Sequence, residues 1–188
     1  MRERRTLRRQ TRQYAGQLLL AHPGMKDDNF KRTVILMSVH NTEGAMGVVL
    51  NRPMNQQLGE LQVDFALGPL AGVPLYRGGP VDPKQLIIAA WRWLPDAETF
   101  QLHFGIEPDK ATELLGTAGV TVRAFLGYSG WGKGQLENEM KHRTWFVAPV
   151  DSDVLGRCDG PDLWRLILGR MDPELKLLAD EPEEPERN

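Results

Sequence analysis

Short apolar blocks separated by turn residues run along most of this chain, and they predict a series of strands. Blocks rich in β-branched and aromatic residues predict strands at 16–21, 32–40, 44–53, 74–81, 84–93, 99–104, 121–128 and 144–150. The turn residues Asn41–Gly44 between two of these blocks predict a hairpin. We expect Pro53 to end the second strand of that hairpin, because proline has no N–H for the ladder.

Helical patterns are fewer and lie mostly in the second half of the chain. The sequence predicts a basic helix at 4–14, a short helix at 58–61, and longer helices at 108–119, 135–142 and 160–171. Paired strands that precede most of the helices favour an α+β fold over a regular alternation of strand and helix. The sequence shows neither an internal repeat nor a linker, so we expect a single domain.

The composition is that of a globular protein, but its charge is unevenly distributed. Hydrophobic residues make up 41% of the 188 residues and charged residues 26%, with a net charge of −2. Residues 1–12 hold six arginines and one acid, whereas residues 172–188 hold seven acids and two bases. We expect a basic extension at 1–13, a domain at 14–178 and an acidic, disordered tail at 179–188. The arm makes nucleic-acid binding conceivable, but the body lacks a second basic patch, so nucleic acid is not favoured.

The sequence also predicts a cytoplasmic protein that makes no contact with a membrane. No apolar run reaches the about 18 residues of a membrane span, and the N-terminus lacks the apolar segment of a secretory signal. The single cysteine, Cys158, excludes an internal disulfide. The histidines His22, His40, His103 and His142 have no metal-binding spacing, so no metal or cofactor is predicted.

The stretch GYSGWGKGQ, residues 127–135, partly matches a phosphate-binding loop. Its glycines and Lys133 fit the pattern, but Gly134 stands where a magnesium-binding hydroxyl is required. We therefore interpret it as a glycine-rich loop. Its glycines would let Tyr128 and Trp131 fold back onto an exposed binding face or into the core.

Two further motifs bring charged side chains to predicted strand ends. In NRP, residues 51–53, Arg52 could bind a carboxylate or phosphate in a bidentate manner, or lock a loop by pairing with an acid such as Glu137. In RGGP, residues 77–80, the glycines either form a tight turn that closes a strand or form the rim of a pocket beside Arg77.

Candidate catalytic residues are limited to His40 and Glu137. His40 could act as a base that Glu137 orients, with Ser38 or Ser129 as a conceivable nucleophile. Ser129, however, lacks the spacing of a nucleophile elbow. Glu137 and Glu139 lie two apart on a predicted helix, so they do not share a face and make a poor carboxylate pair.

Three motifs in order resemble those of the AlgH/YqgE family of bacterial proteins. They are GQLLLAHPGMKDDNFKRTVILMSVHNTEGAMGVVLNRP, YRGGPV and FLGYSGWGKGQLENEM, and with Trp145 they span residues 16 to about 170. The resemblance implies a single α+β domain with a bifurcated, partly barrel-like mixed sheet surrounded by helices. It also implies that Lys133 is not a fixed position of the motif, so the match to a phosphate-binding loop is coincidental. The chain departs from the family at Ala90, near the place of a frequent histidine.

The first functional hypothesis is a cytoplasmic binding or regulatory protein without catalysis, acting through a protein or a small anionic partner. The family name comes from a link to transcriptional regulation of alginate, so the resemblance implies a regulatory role. The predicted binding surface is formed by Asn51, Arg52, Gly78, Gly79, Tyr128, Gly130, Trp131, Gln135 and Glu137. On this hypothesis Trp131→Ala abolishes partner capture and leaves the fold intact. The alternatives are a hydrolase or nucleotide-binding enzyme acting on a phosphorylated or acyl metabolite, and DNA binding through the arginine-rich arm.

Overall fold

The computed structural model describes residues 13–151 and 159–180 of the chain. Nine strands lie within these residues: β1 (Leu18–Ala21), β2 (Val34–Asn41), β3 (Gly44–Val49), β4 (Pro53–Gln57), β5 (Pro74–Arg77), β6 (Val81–Leu94), β7 (Thr99–Phe104), β8 (Thr121–Gly132) and β9 (Trp145–Ala148). The same residues form five helices: α1 (Leu58–Leu61), α2 (Pro108–Leu115), α3 (Gln135–Lys141), α4 (Gly160–Met171) and α5 (Pro173–Asp180). Two single 3-10 turns cover Val63–Phe65 and Pro95–Ala97.

The described strands form one mixed sheet. The main path runs β4-β5-β8-β3-β2-β1-β9, and the β6–β7 hairpin joins it through the pairing of β6 with β8. Neighbouring strands are antiparallel except for β5 and β8, which are parallel.

The sheet divides at β8. Residues 121–128 of this strand pair with β6 on one side, and residues 124–126 pair with β5 on the other. Residues 129–132 pair with β3 instead. The sheet therefore curls into a half-barrel surrounded by the five helices. The expected single α+β domain with a bifurcated, partly barrel-like sheet is confirmed.

Alternating side chains of the strands supply apolar clusters on both faces of the sheet. In β1, Leu18 and Leu20 belong to one cluster, whereas Leu19 and Ala21 belong to another, and all four are buried. A third cluster forms where α1 and α2 cover β5, β6 and the first half of β8. Burial of the apolar side chains in these clusters stabilises the fold by roughly 25 cal/mol per Å² of apolar surface removed from water.

Helix α4 covers the first of these clusters. Asp159 caps its start, since one carboxylate oxygen accepts the N–H of Gly160 at 2.9 Å, and Pro161 lies in the first turn. The indole N–H of Trp164, whose side chain is fully buried, donates to the carbonyl of Ala21 at 2.9 Å. This bond ties the helix to β1.

Several boundaries differ from the sequence prediction. Pro53 begins β4 rather than ending β3, which is possible because β4 is an edge strand and needs no N–H on its outer side. Strand β8 continues to Gly132, so most of the expected glycine-rich loop is strand. Helix α5 was not predicted; it ends at Asp180 and buries Ala179.

Some predictions fall on parts of the chain that the structure does not describe. The arginine-rich arm at 1–12, Cys158 and residues 181–188 of the acidic tail lie outside the described residues. Within residues 13–151 and 159–180, no helix is long and apolar enough to cross a membrane.

Candidate functional site

Asn51 lies in the short connection between β3 and β4 and holds it in place. Its side-chain oxygen accepts the N–H of Val34 at 2.8 Å, and its amide nitrogen donates to the carbonyls of Arg32 and Gly160, both at 2.9 Å. The residue is 4% exposed. The sequence placed Asn51 on a binding surface, but in the structure its polar groups are already bonded and buried, so they hold the scaffold together.

Arg52 follows Asn51 and is half-buried beside the loop at residues 27–31. Its Nη2 donates to the carbonyls of Asp28 at 3.0 Å and Lys31 at 3.2 Å, so the backbone of the loop holds the guanidinium in place. The alternative that Arg52 pairs with Glu137 is wrong, because Glu137 binds His40 instead.

Arg77 lies next to Arg52 because β4 and β5 are paired. The backbone N–H of Arg77 donates to the carbonyl of Arg52 at 2.9 Å. The Arg77 side chain is exposed and has no hydrogen bond or ion pair to any described residue. Burial and, next, the positive charge of Arg77 lower the pKa of the Arg52 guanidinium, while the carboxylates of Asp27 and Asp28 oppose that shift. Arg52 remains charged, as arginine does throughout the physiological range.

The two guanidinium groups line a pocket of about 450 Å³ together with Pro53 and Met54. An adjoining cleft of about 30 Å³ is lined by both arginines together with Asn29, Val49, Gly79 and Pro80. Among the residues that the structure describes, neither lining contains a carboxylate. The arrangement is a small concave site with two positive charges and an apolar wall, and such a site suits an anion.

The Gly78–Gly79 turn places Arg77 at this site. A Cβ at Gly78 would lie 2.2 Å from the carbonyl oxygen of Gly127, and a Cβ at Gly79 would lie 2.2 Å from the Tyr128 backbone. Only glycine, which has no Cβ, lets residues 78 and 79 pass this close to the backbone of β8. Gly79 also has a φ of +155°, a backbone conformation that favours glycine. Of the two alternatives left open for RGGP, the pocket rim describes Gly79 and Pro80, which line the cleft with Arg77, whereas Gly78 is scaffold and lines neither the pocket nor the cleft.

The stretch at 127–135 has no phosphate-binding geometry. Its first six residues belong to β8, and the exposed amine of Lys133 lies 3.9 Å from Glu43 rather than over a cradle of N–H groups. Ser129 is fully buried and donates to the carbonyl of Gly78 at 3.2 Å. Gly130 packs beneath the half-buried ring of Tyr128, whose outer atoms lie 3.2 Å from a Cβ built there. Gly130 is therefore part of the scaffold.

Trp131 points into the core, which is one of the two placements that the sequence left open. The ring is 6% exposed, and its indole N–H donates to Oε2 of Glu139 at 2.9 Å. Trp145 donates to the same oxygen at 2.7 Å, while Gln135 donates to Oε1 at 3.0 Å. Gln135 also accepts the N–H of Gly132 at 3.1 Å, so it joins α3 to β8 and is scaffold as well. Glu139 accepts hydrogen bonds from all three side chains, a role that the sequence analysis did not predict. Its position four residues after Gln135 could have indicated their contact, because residues four apart lie on one face of a helix.

His40 and Glu137 are brought together as the enzyme hypothesis required. His40 Nε2 lies 3.0 Å from Glu137 Oε1, and the backbone N–H of Tyr14 donates to Nδ1 at 3.2 Å. Because Nδ1 accepts, the ring proton is on Nε2 and faces the carboxylate. The His40 side chain is 1% exposed, and the Tyr14 ring stacks on it at 4.9 Å. The pair therefore joins β2, α3 and the N-terminal segment, and Arg52 is not part of it.

No nucleophile or metal site accompanies the pair within the described residues. Ser38 donates to the carbonyl of Met46 at 3.1 Å, and Ser129 is committed to Gly78. Groups of three or more potential metal ligands are absent from residues 13–151 and 159–180.

The fold and the site together define a single-domain α+β protein whose half-barrel sheet carries a two-arginine pocket beside β5. A family model described as AlgH-like matches residues 18–176, and the chain belongs to this family. It is 34% identical over 189 residues to a UPF0301 protein of Streptomyces coelicolor, covering 92% of this chain and 94% of that protein. A UPF0301 protein of Chlorobium limicola is 35% identical over 182 residues, with coverage of 92% and 95%. The family is one of unknown function.

Two solved structures share the fold. The solution structure of the AlgH protein from Pseudomonas aeruginosa matches with a TM-score of 0.63 and 26% identity, covering 98% of this chain and all of that one. The crystal structure of a Corynebacterium diphtheriae protein matches with a TM-score of 0.70 and 24% identity, covering 91% and 94% of the two chains. The second likeness is one of fold alone.

Proposed function

We propose that this protein is a binding protein without catalysis of its own, whose Arg52–Arg77 pocket receives the anionic group of a partner. In this proposal it acts in the cytoplasm and has a regulatory role. Any effect on transcription follows from what the pocket holds, rather than from direct reading of DNA by the body of the protein.

The observation that carries the proposal is a pair of arginines, Arg52 and Arg77, on one pocket whose described lining residues include no acid. Two like charges so close repel each other, and burial weakens the solvation of Arg52. A bound anion relieves both costs. Charge-assisted hydrogen bonds from arginine to an oxyanion are among the stronger polar contacts that proteins make.

The pocket is also prepared for binding before a ligand arrives. The Arg52 guanidinium is fixed by two carbonyls, and the backbone of Arg77 is held by its hydrogen bond to Arg52, while the Arg77 side chain is exposed. A preorganised site loses less conformational entropy on binding than a mobile one.

Hydrolysis is supported less well. The His40–Glu137 pair has the spacing of a base and its orienting acid, but both ring nitrogens already have partners and the ring is covered by Tyr14. A general base needs a lone pair that faces the substrate. If His40 were catalytic, His40→Ala would abolish turnover of a phosphate or acyl ester in a protein that remains folded.

The proposal is tested by isothermal titration calorimetry with three probes that share a phenyl group: benzoate, phenyl sulfate and phenyl phosphate. Wild type and Arg77→Gln are compared, with Arg143→Gln as the matched control. Arg143 is also exposed, and it lies outside both pocket linings. We expect at least one probe to bind wild type and Arg143→Gln equally, and to bind Arg77→Gln about tenfold or more weakly. Failure of every probe to bind wild type, or equal binding to Arg77→Gln, would overturn the proposal.

A further inference from the structure

We infer that the anion is a phosphate monoester of a small organic molecule, bound as a dianion with its organic group against Pro53 and Met54. This inference rests on the proposed anion-binding function and adds the chemical class of the ligand. It follows from the donors, the charge and the shape of the pocket, taken in turn.

The two arginines offer different donors. Both N–H groups of Arg52 Nη2 are directed to the carbonyls of Asp28 and Lys31. A guanidinium has five N–H donors, so three remain on Arg52, at Nη1 and Nε. Because Nη2 takes part in both forks of a guanidinium, Arg52 can give an anion single hydrogen bonds but no bidentate pair. Arg77 keeps its complete fork, since its side chain bonds to no other described residue.

These donors match an anion with more than two terminal oxygens. The fork of Arg77 engages both oxygens of a planar carboxylate in one plane. A phosphate monoester has three terminal oxygens in a tetrahedral arrangement, so two can bind Arg77 while the third meets Nη1 of Arg52. The side-chain amide of Asn29, in the lining of the adjoining cleft, is a further neutral donor.

The charge of the lining also favours a dianion. Arg52 and Arg77 contribute two positive charges to the lining, and none of the lining residues within 13–151 and 159–180 is acidic. Asp27 and Asp28 of the neighbouring loop lie outside the described linings, and their charges act on Arg52 more weakly than its burial and the charge of Arg77 do. Asp27 accepts the N–H of Asn29 at 2.8 Å, and Asp28 binds the Lys31 amine at 2.9 Å. A phosphate monoester carries a charge of about −1.5 to −2 at neutral pH, whereas a sulfate ester or a carboxylate carries −1.

The size and the wall of the pocket indicate that the phosphate bears an organic group. A volume of about 450 Å³ lies within the range of roughly 300–1,000 Å³ typical of pockets for small molecules. The remaining lining residues, Pro53 and Met54, are apolar, and the methionine side chain adapts to irregular ligands. Inorganic phosphate would leave this wall uncovered.

The test titrates the three phenyl probes into wild type and Arg77→Gln at about pH 8 and about pH 5. These pH values lie on either side of the second phosphate pKa, which is about 6. Phenyl sulfate has nearly the shape of phenyl phosphate but a single charge that does not change between these pH values. It therefore reports any pH effect on the protein itself. Thermal denaturation of each variant at both pH values confirms that the titrated protein is folded.

We expect phenyl phosphate at about pH 8 to bind wild type about tenfold or more tightly than phenyl sulfate and benzoate do. That advantage should fall several-fold at about pH 5 and disappear in Arg77→Gln. Equal binding of all three probes, together with a loss in Arg77→Gln, would overturn the phosphate inference and leave the proposed anion-binding function standing. Absence of binding by every probe to wild type would overturn both.

Discussion

Replacing Trp131 with alanine should destabilise the fold by about 4 kcal/mol, because truncation of a buried tryptophan costs about 3–5 kcal/mol. The ring is 6% exposed, and its centroid lies 5.8 Å from that of Trp145 and 6.3 Å from that of Phe30. The lost hydrogen bond adds little to this cost. Glu139 still accepts from Trp145 and Gln135, so no buried carboxylate is left without a partner.

Thermal denaturation followed by far-UV circular dichroism measures this effect. In a chain of this length each kcal/mol moves the midpoint by about 2–4 °C, so Trp131→Ala should lower it by about 8–16 °C. Trp131→Phe keeps an aromatic ring and loses the N–H donor, so the expected cost is about 1–2 kcal/mol. Leu67→Ala is the control, because the Leu67 side chain is 102% exposed and its removal should change stability by no more than about 0.5 kcal/mol.

A midpoint for Trp131→Ala within about 2 °C of wild type would refute the assignment of Trp131 to the core. The same variant separates scaffold from binding site, since phenyl phosphate should still bind at temperatures well below its midpoint. An unchanged midpoint combined with lost binding would restore the earlier hypothesis of an exposed anchor.

Gly78→Ala should cost about 3 kcal/mol in chemical denaturation, because its Cβ would meet the carbonyl of Gly127 at 2.2 Å; a normal unfolding midpoint would contradict this. Asn51→Ala should cost about 2–4 kcal/mol by the same measurement, because three buried hydrogen bonds are lost, and a cost below about 1 kcal/mol would argue against that role. Burial, followed by the hydrogen bond to Asp159, raises the pKa of Tyr76 to about 12. The resulting stability is fully present below about pH 10, the unfolded value, and falls by up to about 2 kcal/mol as the pH rises towards 12. Tyr76→Phe should flatten this part of the stability–pH curve, and an unchanged slope would exclude Tyr76 as its source.

Local patterns in the sequence predicted eight of the nine described strands, because apolar runs such as 32–40 are largely buried, and they missed β4, whose residues 53–57 are mostly polar and begin with a proline. The helices at 108–115 and 160–171 carry a proline in the first turn, a signal that needs no tertiary information. The pair of His40 and Glu137 was proposed from residue type alone.

The glycine-rich stretch was misread because a glycine in a strand and a glycine in a loop look alike in one sequence. Of the glycines at 127–132, Gly127 is required by the segment that passes it, because a Cβ there would lie 2.6 Å from the carbonyl oxygen of Gly79 and 2.9 Å from that of Val81. The residues that impose this requirement are distant in the sequence, so no local pattern shows it. The exposure of Trp131 was left open for the same reason, since its partners Phe30 and Trp145 lie far away in the chain.

The candidate site was predicted only in part. Arg52 was chosen for its chemistry, and Arg77 was considered as a pocket rim, but nothing local shows that the two lie side by side. Their proximity depends on the pairing of β4 with β5, which are separated in the chain by α1 and the residues up to 73. Asn51 was assigned to the same surface because its side chain is polar, although its hydrogen bonds direct that side chain inward.

The position of β8 in the sheet has a consequence for how the chain folds during synthesis. Strands β1 to β3 are consecutive and pair with one another, so they can form as soon as residues 18–49 have left the ribosome. The outer edge of β3 then stays unpaired until residues 129–132 are made. The outer edge of β1 stays unpaired until β9, at 145–148, is made. For most of translation this three-stranded apolar sheet has two open edges, and open edges are sites of aggregation. Truncation before residue 129 should therefore leave both edges open and yield insoluble chains.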